Sequence, residues 1–176
     1  MAHIVMVVAP TNFRDEECFI PKKHFETAGH EVTIVSTKRG TASGMLGGIV
    51  NVDKTLAEVS AADYDAVVFV GGSGTPLIRK EEEAIGLAQE AAAKGKVVAA
   101  ICWAPTILAK AGVLKNKNAT VWLGNDPEYG METNKVIEKF GGKYISEGVV
   151  VDGKIVTADG PSNAKQFAEA IAKLLR

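Results

Sequence analysis

The segment Val97-Val98-Ala99-Ala100-Ile101-Cys102-Trp103-Ala104-Pro105 joins a short apolar run directly to the start of a helix. Its first five residues are all apolar and three of them are β-branched, which predicts a strand buried on both faces, as in a parallel sheet. Pro105 is typical of the first turn of a helix. Because no loop residue separates the two elements, Cys102 must itself make the turn from strand to helix.

The same alternation of strand and helix extends in both directions along the chain. Short apolar runs predict further strands at residues 4–8, 31–36, 66–70 and 120–123. Helical patterns lie between or after them, at residues 16–28, 55–62, 81–94, 105–111, 132–140 and 162–175. Strands that alternate with helices predict an α/β fold with a mostly parallel central sheet and helices on both faces.

Three segments fall outside this alternation. Residues 38–43 are polar and contain glycine, which predicts a loop, and residues 47–53 predict a short strand or hairpin outside the main sheet. Near the C-terminus, apolar residues on both sides of Asp152-Gly153 predict a β-hairpin closed by a type I′ turn. No repeat, low-complexity tract or linker divides the chain, so a single domain over residues 1–176 is expected.

The composition limits the classes of partner. Of the 176 residues, 20 are basic and 21 acidic, and the net charge of −1 gives no electrostatic reason to expect nucleic acid or a membrane surface. No apolar run approaches the roughly 20 residues of a membrane span, and no secretion signal is recognisable. Two cysteines, Cys18 and Cys102, are too few for a disulfide framework. A cytoplasmic protein with free thiols is therefore expected.

Cys102 carries the strongest functional signal. In an open parallel sheet, ligands bind at the carboxyl ends of the strands, where residues 10–17, 71–75 and 159–161 should also converge. A residue that turns directly from strand to helix occupies a nucleophile elbow, and a helix N-terminus lowers the pKa of a thiol. The alternative is a small buried hydrophobic residue, as most free cysteines are. The abrupt turn favours the functional interpretation.

Two glycines and a carboxylate are candidates for the same edge of the sheet. Gly71 and Gly72 end a strand there, and a backbone N–H freed by glycine would form an anion hole with the N–H of Trp103. A simple chain turn explains the glycines equally well. Glu16 and Glu17 begin the first helix, where acidic residues commonly complement the helix dipole. The interpretation as a dipole complement is favoured for Glu16. For Glu17 the choice stays open, because burial near a thiolate would raise the pKa of its carboxyl and make it a proton donor.

The histidines are poorly placed for a cysteine hydrolase, which needs a base within hydrogen-bond reach of the thiol. His3 precedes the first strand, at the opposite end of the sheet, and His24 and His30 lie within and after the first helix. None follows Cys102. A cysteine–histidine pair within one subunit is therefore not expected, although a histidine from a second subunit stays open.

Several of these motifs together resemble the ThiJ/PfpI superfamily, also called the DJ-one superfamily. The matching stretches are residues 68–72, the elbow at 99–105, residues 15–21, the hairpin at 150–157, and Gly160-Pro161. In that family a glutamate four residues before a proline contacts the cysteine, and here this spacing selects Glu17. The resemblance spans essentially the whole chain.

The resemblance implies a flavodoxin-like three-layer sandwich with a reactive Cys102 hydrogen-bonded to a protonated Glu17. It implies an anion hole at Gly72 and Trp103, no metal or cofactor, and a homo-oligomer that is a dimer or a hexamer built from dimers. The activities known in the family are peptidase, cofactor-free glyoxalase III (methylglyoxal to lactate), deglycase and peroxide sensing.

Two departures from the family pattern bear on function. The protease-like branch places histidine directly after the cysteine, where this chain has Trp103. Other members take a histidine from the region that here contains Trp122. Both departures weaken the peptidase interpretation. They predict an apolar, narrow pocket, lined also by Gly71 and Pro161, that suits a small substrate or none.

These residues are compatible with three functions. The first is an enzyme acting on small reactive carbonyls, glyoxalase III-like or deglycase-like, in which the Cys102 thiolate adds to an aldehyde and Glu17 moves protons. The alternative is a redox or chaperone-like stress protein, in which peroxide oxidises Cys102 to a sulfinate held by Glu17. An intracellular cysteine peptidase ranks last because a base is missing.

Overall fold

A computed structural model describes residues 1–176. The strands are, in chain order, β1 (His3–Val7), β2 (Thr11–Phe13), β3 (Glu31–Ser36), β4 (Gly40–Gly44), β5 (Ile49–Val52), β6 (Lys54–Thr55), β7 (Ala66–Phe69), β8 (Val97–Ile101), β9 (Asn118–Ala119), β10 (Asn125–Asp126), β11 (Met131–Glu132), β12 (Lys143–Tyr144), β13 (Val149–Asp152) and β14 (Ile155–Ala158). The α-helices are α1 (Asp15–Thr27), α2 (Thr75–Arg79), α3 (Glu82–Ala93), α4 (Pro105–Lys110), α5 (Thr133–Lys139) and α6 (Ala164–Leu174). None of them is long and apolar enough to cross a membrane.

A seven-stranded sheet forms the middle layer, in the order β13-β14-β8-β7-β1-β3-β6. Every neighbouring pair in it is parallel except β13 and β14, whose antiparallel hairpin forms one edge. The predicted sheet, mostly parallel with an added C-terminal hairpin, is confirmed. The strands β8, β7 and β1 are neighbours in this order, so the segments that follow them meet at one edge.

Alternate residues of β1 face opposite sides of the sheet, as strand geometry requires. Val5 and Val7 belong to one apolar core, which contains residues of α3, α4 and α5. Ile4 and Met6 belong to a second core, which contains residues of α1 and α6. Both faces of the sheet are therefore covered by helices, and the predicted three-layer arrangement is confirmed.

Two secondary-structure predictions were wrong, one of a loop and one of a strand. Residues 38–43, predicted as a loop, largely coincide with β4, which pairs with β2 and β5 in a separate three-stranded sheet. The hydrogen bonds that hold β4 come from the backbone of β2 and β5, so no apolar pattern within residues 38–43 reveals the strand. Residues 120–123, predicted as a strand, form none because their N–H groups bond elsewhere. Thr120 donates to the Thr157 hydroxyl at 2.9 Å and Trp122 to the Cys102 carbonyl at 2.7 Å.

Two finer predictions also differ from the structure. Residues 55–62 form two single 3₁₀ turns, Leu56–Glu58 and Ala61–Asp63, in place of a continuous helix. A capping box between Thr55 and Glu58 closes the first turn, and the extended Val59 ends it. In the hairpin, Asp152 pairs with Ile155, so the turn residues are Gly153 and Lys154. Only Gly153 has a positive φ, 61°, whereas a type I′ turn requires two.

Candidate active site

Cys102 makes the turn from β8 towards α4 without a loop, as the sequence predicted. Its φ angle is 66°, in the left-handed region that residues other than glycine rarely adopt. Two backbone hydrogen bonds hold it there: its N–H donates to the Ala158 carbonyl at 2.8 Å, and its carbonyl accepts the N–H of Trp122. The strained backbone is thus fixed from both sides, and Cys102 is half-buried at the wall of a pocket.

Glu17 is the third residue of α1 and is completely buried. Neither of its carboxyl oxygens has a partner at normal hydrogen-bond geometry, and the donors nearby are the Cys102 thiol and the Gly71 N–H. Burial raises the pKa of this carboxyl to about 8, although the nearby Cys102 thiol, the Arg14 charge and the Gly71 N–H act in the opposite direction. At pH 7 the carboxyl is therefore mainly protonated. A buried carboxyl without partners costs stability, which is typical of a functional group.

Gly71 lies between these two side chains and has no room for one of its own. A Cβ atom there would lie 2.8 Å from Cys102 Cβ and 2.8 Å from Glu17 Oε1. The Gly71 carbonyl also accepts the N–H of Arg14 at 2.8 Å, which ties the end of β7 to the start of α1. In contrast to the expectation, Gly71 does not line the pocket, because it is buried behind the cysteine and the carboxyl.

The thiol of Cys102 has a raised pKa, whereas a position before a helix predicted a lowered one. Burial is the main cause and the charge of Glu17 adds to it, while the N–H groups of Gly72 and Trp103 lower the pKa. The helix α4 has six residues, so its first turn opposes this effect only weakly. A proton on Glu17 removes the repulsion between the two groups, and its O–H can then stabilise a thiolate.

The backbone N–H groups of Gly72 and Trp103 are close enough to the Cys102 thiol to lower its pKa. Gly72 has a φ of 114°, and a Cβ atom there would lie 2.5 Å from Arg14 N and 2.6 Å from Asn12 O. Only glycine can therefore bring this N–H to the elbow. The structure brings together the two donors that the sequence analysis proposed for an anion hole.

A pocket of about 350 Å³ opens in front of Cys102. Its lining residues are Arg14, Met45, Gly72, Ser73, Cys102, Trp103, Trp122 and Pro161. Trp122 and Pro161 lie where the sequence placed them. Arg14, Met45 and Ser73 were not predicted, although Arg14 directly precedes α1 and Ser73 directly follows the two glycines. The walls are mostly apolar, as expected.

Met45 reaches the pocket through a turn that the sequence does not reveal. The buried carboxylate of Asp15 accepts the N–H groups of Leu46 at 2.7 Å and Gly48 at 2.8 Å. The Met45 sulfur in turn accepts the N–H of Ser73 at 3.4 Å. The turn between β4 and β5 is thus fastened to α1 and to the segment after β7, and Met45 becomes part of the pocket wall.

A sequence model of the DJ-1/PfpI family matches residues 2–174 of this chain. The chain belongs to the DJ-1/PfpI family. A protein of Methanocaldococcus jannaschii is 42% identical, over 99% of this chain and 82% of its own length. Deglycase PfpI of Pyrococcus furiosus is 33% identical, over 98% of this chain and 99% of its own length.

Solved structures of DJ-1/PfpI proteins have the same fold. A ThiJ/PfpI domain protein from Brachyspira murdochii has a TM-score of 0.90 at 39% identity, over 98% of this chain and 95% of that one. DJ-1beta of Drosophila melanogaster has a TM-score of 0.86 at 29% identity, over 99% of this chain and 90% of that one. The flavodoxin-like architecture implied by the resemblance is confirmed.

In this DJ-1/PfpI protein, buried charges hold Trp103 in place. Its indole N–H donates to Asp126 at 2.9 Å. The fully buried Arg79 donates to both oxygens of Asp126, at 2.5 and 3.0 Å, to the exposed Glu128 at 2.8 Å, and to the Thr106 hydroxyl at 2.9 Å. That hydroxyl donates to the Trp103 carbonyl at 2.8 Å. Both the backbone and the ring of Trp103 are therefore connected to Arg79.

Proposed function

We propose that the protein is a cysteine-dependent enzyme acting on small reactive carbonyl compounds, in the manner of a glyoxalase III or a deglycase. The observation that carries this proposal is the fully buried carboxyl of Glu17 beside the Cys102 thiol, with Gly71 packed against both side chains and the pKa of the carboxyl raised to about 8. The name deglycase on the Pyrococcus furiosus relative supports carbonyl chemistry.

The reaction begins with a bond between the Cys102 sulfur and the aldehyde carbon of a 2-oxoaldehyde. The carbonyl oxygen becomes an oxyanion, which the N–H groups of Gly72 and Trp103 stabilise until it takes up the proton that the Cys102 thiol has released and forms a hemithioacetal. Charge develops on the oxygen only as this bond forms, so these donors favour the transition state over the bound substrate.

Glu17 then moves a proton between adjacent carbons. The Glu17 carboxyl donates its proton to the ketone oxygen, and the resulting carboxylate removes the hydrogen of the former aldehyde carbon, which gives an enediol. Glu17 then returns this proton to the former ketone carbon, and the hydroxyl proton on the former aldehyde carbon passes back to the Glu17 carboxylate. The aldehyde carbon is thereby oxidised to a thioester and the ketone carbon is reduced to an alcohol. Water hydrolyses the thioester and releases a 2-hydroxy acid and the Cys102 thiol. With a pKa of about 8, Glu17 can accept and donate protons near neutral pH.

The test is lactate formation from methylglyoxal without glutathione. We expect activity in the wild type and none in Cys102→Ala or Glu17→Gln. Glu26→Gln is the matched control, because Glu26 lies on the same helix but is exposed, pairs with Lys22 at 2.7 Å and does not line the pocket. Loss of activity only in the first two variants would support both roles. Wild-type lactate no higher than that of Cys102→Ala would refute the carbonyl proposal.

A second candidate, peroxide sensing, is favoured by the same surroundings of the sulfur. Two peroxide molecules would oxidise the thiolate first to a sulfenate and then to a sulfinate, each becoming water or hydroxide. The N–H groups of Gly72 and Trp103 and the O–H of Glu17 would then donate to the sulfinate oxygens. Mass spectrometry after mild peroxide treatment would find two added oxygen atoms on Cys102, and fewer on Glu17→Gln. No histidine lines the pocket, so peptidase activity is not proposed.

A further inference from the structure

The pocket has few polar groups. Cys102 and the N–H groups of Gly72 and Trp103 lie at the elbow, and the lining contains two further polar side chains, the charged Arg14 and Ser73. The Arg14 guanidinium is already paired with Glu16 through Nε and Nη2. The rest of the lining is formed by Met45, the two tryptophans and Pro161, so most of the surface around the substituent of a bound carbonyl compound is apolar.

The apolar wall is rigid on the side of Trp103. Its indole N–H is bound to the buried Asp126, its carbonyl accepts the Thr106 hydroxyl, and the Arg79 guanidinium lies 5.9 Å from its ring centroid. The ring therefore cannot rotate away without breaking a buried hydrogen bond. A surface ordered before binding loses little entropy when a flat ligand contacts it.

Trp122 completes the wall on the open side. Its ring centroid lies 5.9 Å from that of Trp103, with an interplanar angle of 51°, and the residue is 39% exposed. Its backbone is fixed by the bond from its N–H to the Cys102 carbonyl. The two rings and the Met45 side chain form an apolar cleft that leads to the sulfur. A ligand ring would cover apolar surface that is now in contact with water.

The pocket volume also exceeds what a small dicarbonyl requires. At about 350 Å³, it lies in the range of pockets that enclose ring-sized ligands. A molecule as small as methylglyoxal would leave most of the apolar surface of the pocket in contact with water. The sequence-based expectation of a narrow pocket is therefore replaced by that of an apolar pocket with room for a ring.

We infer that the preferred substrates are 2-oxoaldehydes with a flat apolar substituent, of which phenylglyoxal is the simplest, and that Trp122 determines this preference. The inference rests on the proposed function and specifies its substrate class. The aldehyde carbon lies at Cys102, and the substituent lies between Trp103, Trp122 and Met45.

The kinetic test compares initial-rate kcat/KM for phenylglyoxal and methylglyoxal. We expect the wild type to favour phenylglyoxal about tenfold or more, since even small apolar groups discriminate by this much in a fitted pocket. Trp122→Ala should reduce the ratio about tenfold, and Trp122→Phe, which keeps a ring, should reduce it less. Leu123→Ala is the matched control, because Leu123 is exposed and outside the pocket, so its ratio should equal that of the wild type. A wild-type preference for methylglyoxal, or an unchanged ratio in Trp122→Ala, would overturn the inference.

A second measurement separates this inference from the proposed function, because it needs no turnover. Cys102 is alkylated with iodoacetanilide and with iodoacetamide, and each rate is divided by that of glutathione. The wild type should favour the phenyl reagent about tenfold, and Trp122→Ala should not. If the protein shows this preference but forms no lactate, the inference about the apolar pocket is supported and the proposal of a carbonyl enzyme is refuted. Equal normalised rates would refute the pocket preference even in an active enzyme.

Discussion

Replacing Arg79 by methionine should destabilise the protein more than any surface charge substitution. Arg79 and Asp126 are both completely buried, and the guanidinium supplies two of the hydrogen bonds to the carboxylate. The variant keeps only the donors from Trp103 Nε1, at 2.9 Å, and from the Glu128 N–H, at 3.2 Å. A buried carboxylate without its cation typically costs about 3–5 kcal/mol.

Urea unfolding followed by tryptophan fluorescence measures this free energy directly. For a chain of 176 residues, each kcal/mol corresponds to about 2–4 °C, so the Tm should fall by roughly 6–20 °C. The matched control is Arg39→Met, which breaks an exposed pair with Glu58, at 2.9 Å, and should cost about 1 kcal/mol or less. If Arg79→Met costs no more than Arg39→Met, the buried pair of Arg79 and Asp126 does not stabilise the fold.

The pH dependence of the loss is a further check on the same variant. In the wild type, burial acts to raise the pKa of Asp126, but hydrogen bonds from Arg79 and Trp103 outweigh it and the pKa is lowered. Without Arg79, burial dominates and the folded carboxyl binds a proton more readily than the unfolded one. The stability deficit of Arg79→Met should therefore be smaller near pH 4 than at pH 7. A deficit that is constant with pH would contradict this explanation.

Three other outcomes are expected. Burial raises the pKa of Glu17 from 4.5 to about 8, so the contribution of Glu17 to the free energy of unfolding is complete below pH 4.5 and is lost as the pH rises through 8. The slope of this decline is at most about 1.4 kcal/mol per pH unit, and urea unfolding of Glu17→Gln at a series of pH values should lack it. Gly71→Ala should abolish lactate formation, because its Cβ would overlap the Cys102 and Glu17 side chains. Gly86 lies in α3 with open space around it, so Gly86→Ala should instead stabilise the protein by about 0.5–1 kcal/mol in urea unfolding. Iodoacetamide should label the half-buried Cys102 in the native protein and leave the fully buried Cys18 unlabelled, as judged by mass spectrometry, because the reagent reaches only the exposed thiol. Early labelling of Cys18 would contradict its burial.

The parts of the fold that follow from local pattern were accessible from the sequence. The apolar run before Cys102 and the proline at position 105 indicated the elbow without any knowledge of neighbouring strands. The alternation of strands and helices predicted the parallel sheet, and the Asp152-Gly153 pair predicted the hairpin. These features are encoded in consecutive residues, because they depend on backbone preference and on which face of an element is apolar.

The spacing of Glu17 from the following proline identified the carboxylate by family resemblance, while its chemistry required the tertiary structure. Only the packing of α1 against the elbow buries this side chain completely, and burial is what raises its pKa. The same packing raises the pKa of Cys102, where helix position alone predicted the opposite. Desolvation depends on every atom around a group, so it cannot be deduced from neighbouring residues in the chain.

The sequence by itself determined the layered α/β fold and the turn at Cys102. Tertiary structure alone decided the protonation of Glu17, the place of Met45 in the pocket and the buried support of Trp103. Arg79 and Asp126 are separated by 47 positions in the chain, and no local pattern connects them. Local preferences act between consecutive residues, whereas burial and ion pairing act through space between segments that meet only when the chain has folded.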